Sequence, residues 1–389
     1  GGIMIKIRHP LLMSHHEKFI ELVDSLGREY IEPVADRIDQ ENYYPRDVIR
    51  KLGEYGVLAP NIPKEYGGYS MDILGTALAI ELISRYSGSL GILTQVQGFL
   101  VTSSFYLYGT KYMREEIVPK LARGELIGSF ALSEPCCGSD AAAIETRAER
   151  RGGEWVINGK KMWITQGLYA DVYLVFTRTG PKEARHKAIT AFLVRRNKCI
   201  EANPIYVMGI RGTGTSELTF NDCVVSDDDI VGKVNEGFKI VVDALNLGRI
   251  AVASVTLGLA EAAYIESYKW VRERTAFNAH LTDWEWVQFQ LADMMAYIET
   301  MRSIIYDAAV HFDRKYEDYY AYASIAKLVS ALLGMDVIKR AVQLTGAYGV
   351  WSRSKLNRIY RDAKLMEIGE GTNEVQRMII YKWLSRYLG

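Results

Sequence analysis

The chain has no excess of either charge, because it holds 47 lysines and arginines and also 47 aspartates and glutamates. A neutral chain lacks the overall attraction that basic proteins have for nucleic acids and anionic membranes. We find no signal peptide and no apolar run of transmembrane length. We therefore expect no nucleic acid and no membrane among its partners, which must be recognised by shape and local chemistry.

Cysteine is scarce, and its spacing matches no metal site. The four cysteines are Cys136, Cys137, Cys199 and Cys223, with no CxxC spacing and no histidine close to them. This pattern predicts neither a metal ion nor a disulfide framework, and it fits a reducing compartment such as the cytoplasm. The adjacent cysteines are a candidate redox pair, although buried free thiols are the preferred interpretation.

Length and composition are those of a globular protein with two or three domains: 389 residues, 49% hydrophobic and 24% charged. Residues 4–125 predict an all-helical N-terminal domain. Ser14 and Glu17 predict a capping box at the first helix, and Asp72 predicts the cap of a later one. A further helix is expected from Leu90 to Tyr108.

Residues 126–234 change to short β-rich segments separated by turn residues. Asn158-Gly159 lies between two of these segments and is a strong hairpin signal. A run of such strands over roughly a hundred residues indicates a small antiparallel β-barrel or a sandwich. We take the antiparallel barrel as the prediction for the middle domain.

Residues 235–389 predict a C-terminal four-helix bundle. Apolar residues from Val287 to Phe312 recur in steps of three and four, which is typical of a long bundle helix, and a second such seam starts at Ile325. Trp284 and Trp286 fit either the interior or a subunit interface, and the interior is the default expectation for an apolar stripe.

One carboxylate stands out near the C-terminus. Glu370 and Gly371 precede Thr372, which predicts the N-cap of the last helix. A glutamate on such a loop can be aimed into a cavity, where exposed amides also suit a polarised ligand atom. The alternative is a side chain that merely compensates the helix dipole.

Two loops of the middle domain have a composition that suits a ligand. The first, residues 131–140, turns through Pro135 and Gly138. The second, residues 161–167, places Trp163 and Thr165 two positions apart, hence on one face of a strand. An aromatic ring beside a hydroxyl suits a flat heterocycle. Ordinary barrel surface is the alternative.

Seven motifs occur in an order that resembles the acyl-CoA dehydrogenase family, from about Phe19 to the C-terminus: ALSEPCCGSD (131–140), WITQG (163–167), MGIRGTGTSEL (208–218), GRIAVA (248–253), RTAF (274–277), QLTGAYG (343–349) and EGTNE (370–374). The resemblance implies a helical N-terminal domain, a middle β-barrel and a C-terminal four-helix bundle. This is the organisation that the sequence pattern predicts independently.

The resemblance also implies a reaction. Members bind FAD and an acyl-CoA thioester, and they form a trans-2-enoyl-CoA while a hydride passes to the flavin N5. Glu370 matches the family's catalytic base, and Arg249 would be a supporting catalytic group. Some members carry the base just before this arginine, where the present chain has Gly248, so the assignment falls on Glu370.

Further site residues carry over by position. Ser139, Asn246, Arg249 and Gly371 match positions beside the acyl-CoA. Positions that contact FAD, some of them in a neighbouring subunit, are matched by Phe130, Leu132, Ser133, Ser139, Trp163, Thr165, Arg274, Phe277, Gln343, Gly346, Thr372 and Glu374. A shared site implies a homodimer or homotetramer, and the family's electron acceptor is electron-transfer flavoprotein. No metal is expected.

Four positions depart from the family pattern or bear on the substrate. Glu285 replaces a cofactor-contacting glutamine, which puts that contact in doubt, Ala347 replaces a glycine, and Cys137 replaces an alanine. Gly91 occupies the place of the arginine that binds the distal carboxylate in glutaryl-CoA members. Gly91 thus argues against a diacid, and the GRI form of the motif at 248–250 resembles short-chain members, so a short- or medium-chain acyl-CoA of fatty acid β-oxidation is expected.

Three other functions compete with this one. An acyl-CoA oxidase would use the same base and flavin, but oxidases are typically much longer. A flavin monooxygenase branch generally lacks the equivalent of Glu370. A DNA-associated flavoprotein of the same superfamily would need a basic groove and additional C-terminal helices, which the neutral charge disfavours.

Overall fold

The computed structural model describes residues 3–389, in which helices flank a β-rich middle region. The N-terminal helices are α1 (Ser14–Leu26), α2 (Ala35–Gln40), α3 (Arg46–Glu54), α4 (Ile73–Tyr86), α5 (Gly88–Thr94), α6 (Ser103–Tyr108) and α7 (Val118–Ala122). A π-helical segment, Gln95–Thr102, joins α5 to α6. The helix expected from Leu90 to Tyr108 is thus confirmed, with a wider turn in its middle.

Local capping explains where these helices begin. Asp72 caps α4, since its Oδ1 accepts a hydrogen bond from the Gly75 amide at 2.7 Å. Ser14 instead is the first residue of α1, and the N-cap is Met13, whose amide donates to His16 Nδ1 at 3.0 Å. The predicted capping box of Ser14 and Glu17 is therefore wrong, because the histidine ring satisfies the free amide.

The middle region is one mixed β-sheet. Its strands are β1 (Gly128–Ala131), β2 (Arg147–Arg151), β3 (Glu154–Ile164), β4 (Val172–Arg178), β5 (Ile189–Arg195), β6 (Ile200–Pro204), β7 (Ser216–Val225) and β8 (Ile230–Val231). The order is β6-β7-β3-β2-β4-β5-β8, with β1 also on β4, and β4 runs parallel to both β1 and β2. Within residues 3–389 the end strands β6 and β8 do not pair with each other, so the predicted closed antiparallel barrel is not confirmed.

Asn158-Gly159 does not form the predicted hairpin turn. Strand β3 runs through both residues, and its register against β7 shifts between Ile157 and Gly159. A Cβ on Gly159 would lie 2.5 Å from Thr146 Oγ1, so the glycine permits a close approach at a bulge. The β2–β3 turn lies at residues 152–153, two glycines with positive φ.

All four cysteines form disulfides, which corrects the prediction of free thiols. Cys199 pairs with Cys223, and Cys136 pairs with its neighbour Cys137. Cys199 lies just before β6 and Cys223 lies in β7, so the antiparallel pairing of these strands brings the two sulfurs together. Cysteine spacing alone does not reveal this pair, because the bond depends on the register of two strands.

The C-terminal region is helical. Its helices are α8 (Gly237–Glu273), α9 (Glu285–Asp313), α10 (Tyr319–Thr345), α11 (Ala347–Val350), α12 (Lys355–Lys364) and α13 (Asn373–Tyr387), and strands β9 (Thr275–Ala276) and β10 (Ala279–His280) form a hairpin. Helix α10 packs against α8, α9 and α13, and α4 also packs on α8 and α9. The four predicted helices are present, and the shorter helices α11 and α12 are additions.

The two tryptophans at the start of α9 lie on the surface. Trp284 is 43% exposed and Trp286 is 58% exposed, so the expectation of an interior position is wrong for both. Met294 and Met301, further along the same helix, are fully buried as the seam predicts. The apolar seam faces the core only from Val287 onward.

Three helical stretches are long and apolar enough to cross a membrane, namely Gly88–Tyr108, Gly237–Glu273 and Tyr319–Thr345. The expectation that no run has this length is therefore wrong by length and composition. In their most apolar windows, 83%, 83% and 56% of the residues are buried inside the protein. Most of this apolar surface therefore belongs to the protein core.

A buried charge cluster joins α4, α8 and α9. The guanidinium of Arg302 donates to Glu81 at 2.6 Å and also to Glu261, while Arg85 donates to Glu261. Tyr306 donates its hydroxyl to Glu81 at 2.7 Å. Burial raises the pKa of Glu81, and the nearby Glu261 carboxylate raises it further. Removing one partner from such a cluster leaves an uncompensated buried charge.

Candidate active site

Glu370 lies in a tight left-handed turn that precedes α13. Its φ is +59°, and that of Gly371 is +88°. Thr372 then caps the helix, because its Oγ1 accepts a hydrogen bond from the Val375 amide at 3.2 Å, as predicted. A non-glycine residue with positive φ is strained, so surrounding contacts must hold it.

Three helices supply these contacts, all to backbone carbonyls of the turn. Lys327 of α10 donates its Nζ to the Gly371 carbonyl at 2.5 Å. Arg249 of α8 donates to the Glu370 carbonyl at 3.3 Å, and Gln376 of α13 donates to both carbonyls at 3.2 and 2.9 Å. The turn is therefore fixed from three sides.

Glu370 is partly buried, its carboxylate lies inside the protein, and the two carboxylate oxygens differ. Oε1 accepts a hydrogen bond from Gln95 Nε2 at 3.1 Å, whereas Oε2 is buried without a partner among the described residues. Burial raises the pKa of Glu370, while the Gln95 hydrogen bond and the charges of Arg249 and Lys327 oppose this. A carboxylate in this environment is a stronger base than an exposed one.

Gly248 cannot hold a side chain in this arrangement. A Cβ built on it would lie 2.6 Å from Glu370 Oε2 and 3.2 Å from Gln95 Nε2. The bare helix face of α8 therefore makes the space that the carboxylate occupies.

The predicted substrate residues are brought together except for one. Arg249 is 7% exposed and donates its Nη1 to Asn246 Oδ1 at 2.7 Å, beside Glu370 and Gly371. Burial lowers the pKa of Arg249, and the Glu370 carboxylate opposes this. Ser139 lies exposed in the loop after β1, outside this hydrogen-bonded cluster.

The two predicted ligand loops of the middle domain adjoin each other. The Met162 amide donates to the Ser133 carbonyl at 2.8 Å, and the Ser129 hydroxyl donates to the Thr165 carbonyl at 3.0 Å. Trp163 has a φ of +62° and is 56% exposed. Trp163 and Thr165 do not share a strand face as predicted, because β3 loses regular register after residue 161 and ends at residue 164.

The remaining predicted cofactor residues lie at or near the surface. Phe277 is 89% exposed at the tip of the β9–β10 hairpin, and Arg274, Gln343, Gly346 and Glu374 are also exposed. The role of Arg274, Phe277, Gln343 and Gly346 in the site of a neighbouring subunit stays a prediction, as does a contact of Glu374 with FAD. Outside these five, Phe130 and Ser133 are partly buried, and Leu132 is 6% exposed.

Comparison with known proteins identifies the family. The chain matches the acyl-CoA dehydrogenase N-terminal domain over residues 13–125, the middle domain over 129–223 and the C-terminal domain over 235–385. The protein belongs to the acyl-CoA dehydrogenase family. It is an oxidoreductase, its cofactor is FAD, and the family's general reaction is the dehydrogenation of acyl-CoA thioesters.

Among the relatives of this acyl-CoA dehydrogenase, the human mitochondrial short-chain specific enzyme is 36% identical over 373 residues, which cover 95% of this chain and 90% of the relative. The structure of butyryl-CoA dehydrogenase from Megasphaera elsdenii matches with a TM-score of 0.91 and 31% identity, covering 98% and 100% of the two chains. A chain from work on the electron transferring flavoprotein of Acidaminococcus fermentans matches with a TM-score of 0.93 and 32% identity, covering 97% and 99%.

The residues at the two adjoining loops fit FAD. Trp163 offers an exposed aromatic face, and the hydroxyls of Ser133, Ser139 and Thr165 are not engaged in hydrogen bonds with other side chains or backbone groups of residues 3–389. A Cβ on Gly138 would meet nothing within 4 Å, so the loop is open beside these hydroxyls. A ring system with a polar edge and phosphates needs this combination of aromatic face and free donors.

Two site residues were missed from the sequence, namely Gln95 and Lys327. Both are 1% exposed, and burial lowers the pKa of Lys327 to about 8. Each stands within an apolar helical stretch, where a buried polar side chain requires a partner. That signal was available, but the partners lie 275 and 44 residues away in the sequence.

Proposed function

We propose that this dehydrogenase oxidises a short-chain acyl-CoA to its trans-2-enoyl-CoA, with Glu370 as the catalytic base. The observation that carries this proposal is the buried carboxylate whose Oε2 has no partner among residues 3–389. An α-proton of a thioester is very weakly acidic, so its removal needs a base strengthened by burial.

The protein's own residues divide the work around this carboxylate. Glu370 takes the α-proton, while Lys327 and Arg249 hold the backbone of its turn through the two carbonyls. The charges of the two cationic groups also favour the ionised form of Glu370, the form that can accept a proton. FAD, when bound, supplies the acceptor for the hydride from the β-carbon.

Two relatives support a short acyl chain, and Gly91 bears on whether the acyl group can carry a second carboxylate. The human relative is specific for short chains, and the Megasphaera elsdenii relative is a butyryl-CoA dehydrogenase. A Cβ on Gly91 would lie 2.0 Å from Ser84 Oγ, so this position has no room for an arginine that could bind a second carboxylate. Butyryl-CoA is the preferred substrate, and glutaryl-CoA is disfavoured.

Assembly and electron transfer complete the proposal. The exposed Arg274, Phe277, Gln343 and Gly346 would reach the FAD of a neighbouring subunit in a homodimer or homotetramer. Electron-transfer flavoprotein would reoxidise the flavin. The reaction would be a step of fatty acid β-oxidation. The cytoplasm is the proposed location, although the two disulfides count against a reducing compartment.

The test is anaerobic mixing of the purified holoenzyme with butyryl-, octanoyl-, palmitoyl- and glutaryl-CoA, following loss of the oxidised flavin absorbance. We expect rapid bleaching by butyryl-CoA and little by glutaryl-CoA. Bleaching by no ester would contradict the proposed reaction. Rapid recovery of the absorbance on admitting air would instead favour an oxidase.

A further inference from the structure

Gln95 opens the π-helical segment Gln95–Thr102 within an otherwise α-helical stretch. Short π-helical segments inside α-helices are frequent at functional sites, because the wider turn redirects side chains. The Gln95 side chain is 1% exposed, and its Nε2 lies 3.1 Å from Glu370 Oε1. The buried Gln95 amide therefore donates its hydrogen bond to the carboxylate of the proposed base.

Gln95 is the sole side-chain donor to this carboxylate among residues 3–389. Arg249 and Lys327 lie close by, but they donate to the backbone carbonyls of Glu370 and Gly371. The amide therefore distinguishes the two oxygens, since Oε1 has a donor and Oε2 has none.

The packing of α8 keeps the carboxylate in this orientation. A Cβ on Gly248 would lie 2.6 Å from Oε2 and 3.2 Å from the Gln95 amide nitrogen. Amide and carboxylate thus pack side by side over the same glycine. Moving the unpartnered oxygen out of this position would require the carboxylate to give up the Gln95 hydrogen bond within a closely packed space.

We propose that Gln95 is a positioning residue that holds Oε1 and so leaves Oε2 as the atom that takes the substrate proton. This inference rests on the proposed function. In the step, the α-C–H bond breaks and its proton goes to Oε2. The freed electron pair forms the new carbon–carbon double bond, and FAD, when bound, would accept the hydride that leaves the β-carbon.

The hydrogen bond also has a consequence for titration. A donor to the ionised carboxylate favours the charged form, so loss of Gln95 should raise the pKa of Glu370 further. The charged groups that face the carboxylate, Arg249 on α8 and Lys327 on α10, are unchanged by this loss. A second carboxylate in place of the amide should raise the pKa more, because two like charges would share one site.

The experiment compares the holoenzyme with Gln95→Met and Gln95→Glu, with Thr94→Val as the matched control. Thr94 is buried next to Gln95 in sequence, and its hydroxyl has no partner in the described chain. The readouts are a ¹³C NMR titration of carboxyl-labelled glutamate, with the Glu370 signal assigned from Glu370→Gln, and the pH dependence of flavin reduction by butyryl-CoA.

We expect the midpoint of both titrations to rise by about one pH unit in Gln95→Met and by more in Gln95→Glu. The plateau rate of flavin reduction should fall about tenfold or more in Gln95→Met, with a smaller change in KM. Gln95→Glu is nearly isosteric, so it keeps the comparison available if the methionine variant folds poorly.

Unchanged midpoints in both Gln95 variants, or a shift no larger than that of Thr94→Val, would overturn the positioning role. This failure is distinct from failure of the proposed function. If the wild type is not bleached by any acyl-CoA, the NMR titration still decides whether Gln95 controls Glu370. If the wild type is bleached and the NMR midpoint does not move, only the inference about Gln95 falls.

Discussion

Replacing Gly248 with alanine tests the geometry of the base with a single methyl group. The added Cβ would lie 2.6 Å from Glu370 Oε2, so the carboxylate must move by about 0.8 Å to reach ordinary van der Waals contact. The atom that must yield is the far end of a flexible side chain. The fold should therefore tolerate the change, and alanine is favoured over glycine in a helix by up to about 1 kcal/mol.

Activity should respond differently from stability. A displacement of this size at the reacting atom costs on the order of 10²-fold in rate, or about 2.7 kcal/mol in activation free energy. We expect Gly248→Ala to retain FAD and an unchanged or slightly higher Tm. The rate of flavin reduction by butyryl-CoA should fall about 10²-fold in stopped-flow measurements.

Gly258→Ala, in the same helix α8, is the matched control. Its Cβ would lie 2.2 Å from the Glu81 carbonyl oxygen, which is backbone and cannot turn aside. Such overpacking destabilises by about 1–3 kcal/mol, but it lies away from the carboxylate of Glu370. This variant should have a lower Tm than the wild type, but its rate of flavin reduction per molecule of folded protein should be unchanged. Wild-type rates in Gly248→Ala would refute the reasoning.

Three further predictions concern stability, measured by urea unfolding. Replacing both Cys199 and Cys223 with serine should lower the free energy of unfolding by about 3 kcal/mol, since the bond closes a loop with a sequence separation of 24 residues. The wild type should lose an equal amount under reducing conditions. Arg302→Leu should cost about 3–5 kcal/mol by leaving buried glutamates uncompensated, whereas Arg340→Leu, on the partly exposed face of α10, should cost under about 1 kcal/mol. Although burial opposes it, hydrogen bonds from a histidine ring and a backbone amide lower the pKa of Asp72 to about 2. The ionised Asp72 carboxylate therefore stabilises the fold above pH 3.8, and this stabilisation is lost as the pH falls toward 2. Asp72→Asn should remove this pH dependence of the free energy of unfolding.

Local signals predicted those parts of the structure that depend on neighbouring residues. The caps at Asp72 and Thr372 are confirmed because a side-chain oxygen reaches an amide three residues on. The helix–sheet–helix order follows from the change in apolar period along the chain. The cluster of Glu370 with Asn246 and Arg249 is also present, as the motif order implied.

The features that were predicted wrongly or missed depend on which strands pair and how helices pack, which neighbouring residues do not determine. Asn158-Gly159 has the composition of a turn, but it lies inside β3, where the close approach of Thr146 requires the glycine. The Cys199–Cys223 bond depends on which strands pair, and the surface position of Trp284 depends on where α9 enters the core. The role of Gln95 was not predicted, because its hydrogen-bond partner, Glu370, is distant in sequence.

The central claim is most directly tested by Glu370→Gln in the anaerobic butyryl-CoA experiment. The substitution keeps the shape of the side chain and removes the base. We predict that the variant retains FAD, that butyryl-CoA binding still perturbs its flavin spectrum, and that flavin reduction falls by at least about 10²-fold. Flavin reduction at the wild-type rate would contradict the assignment of Glu370 as the base.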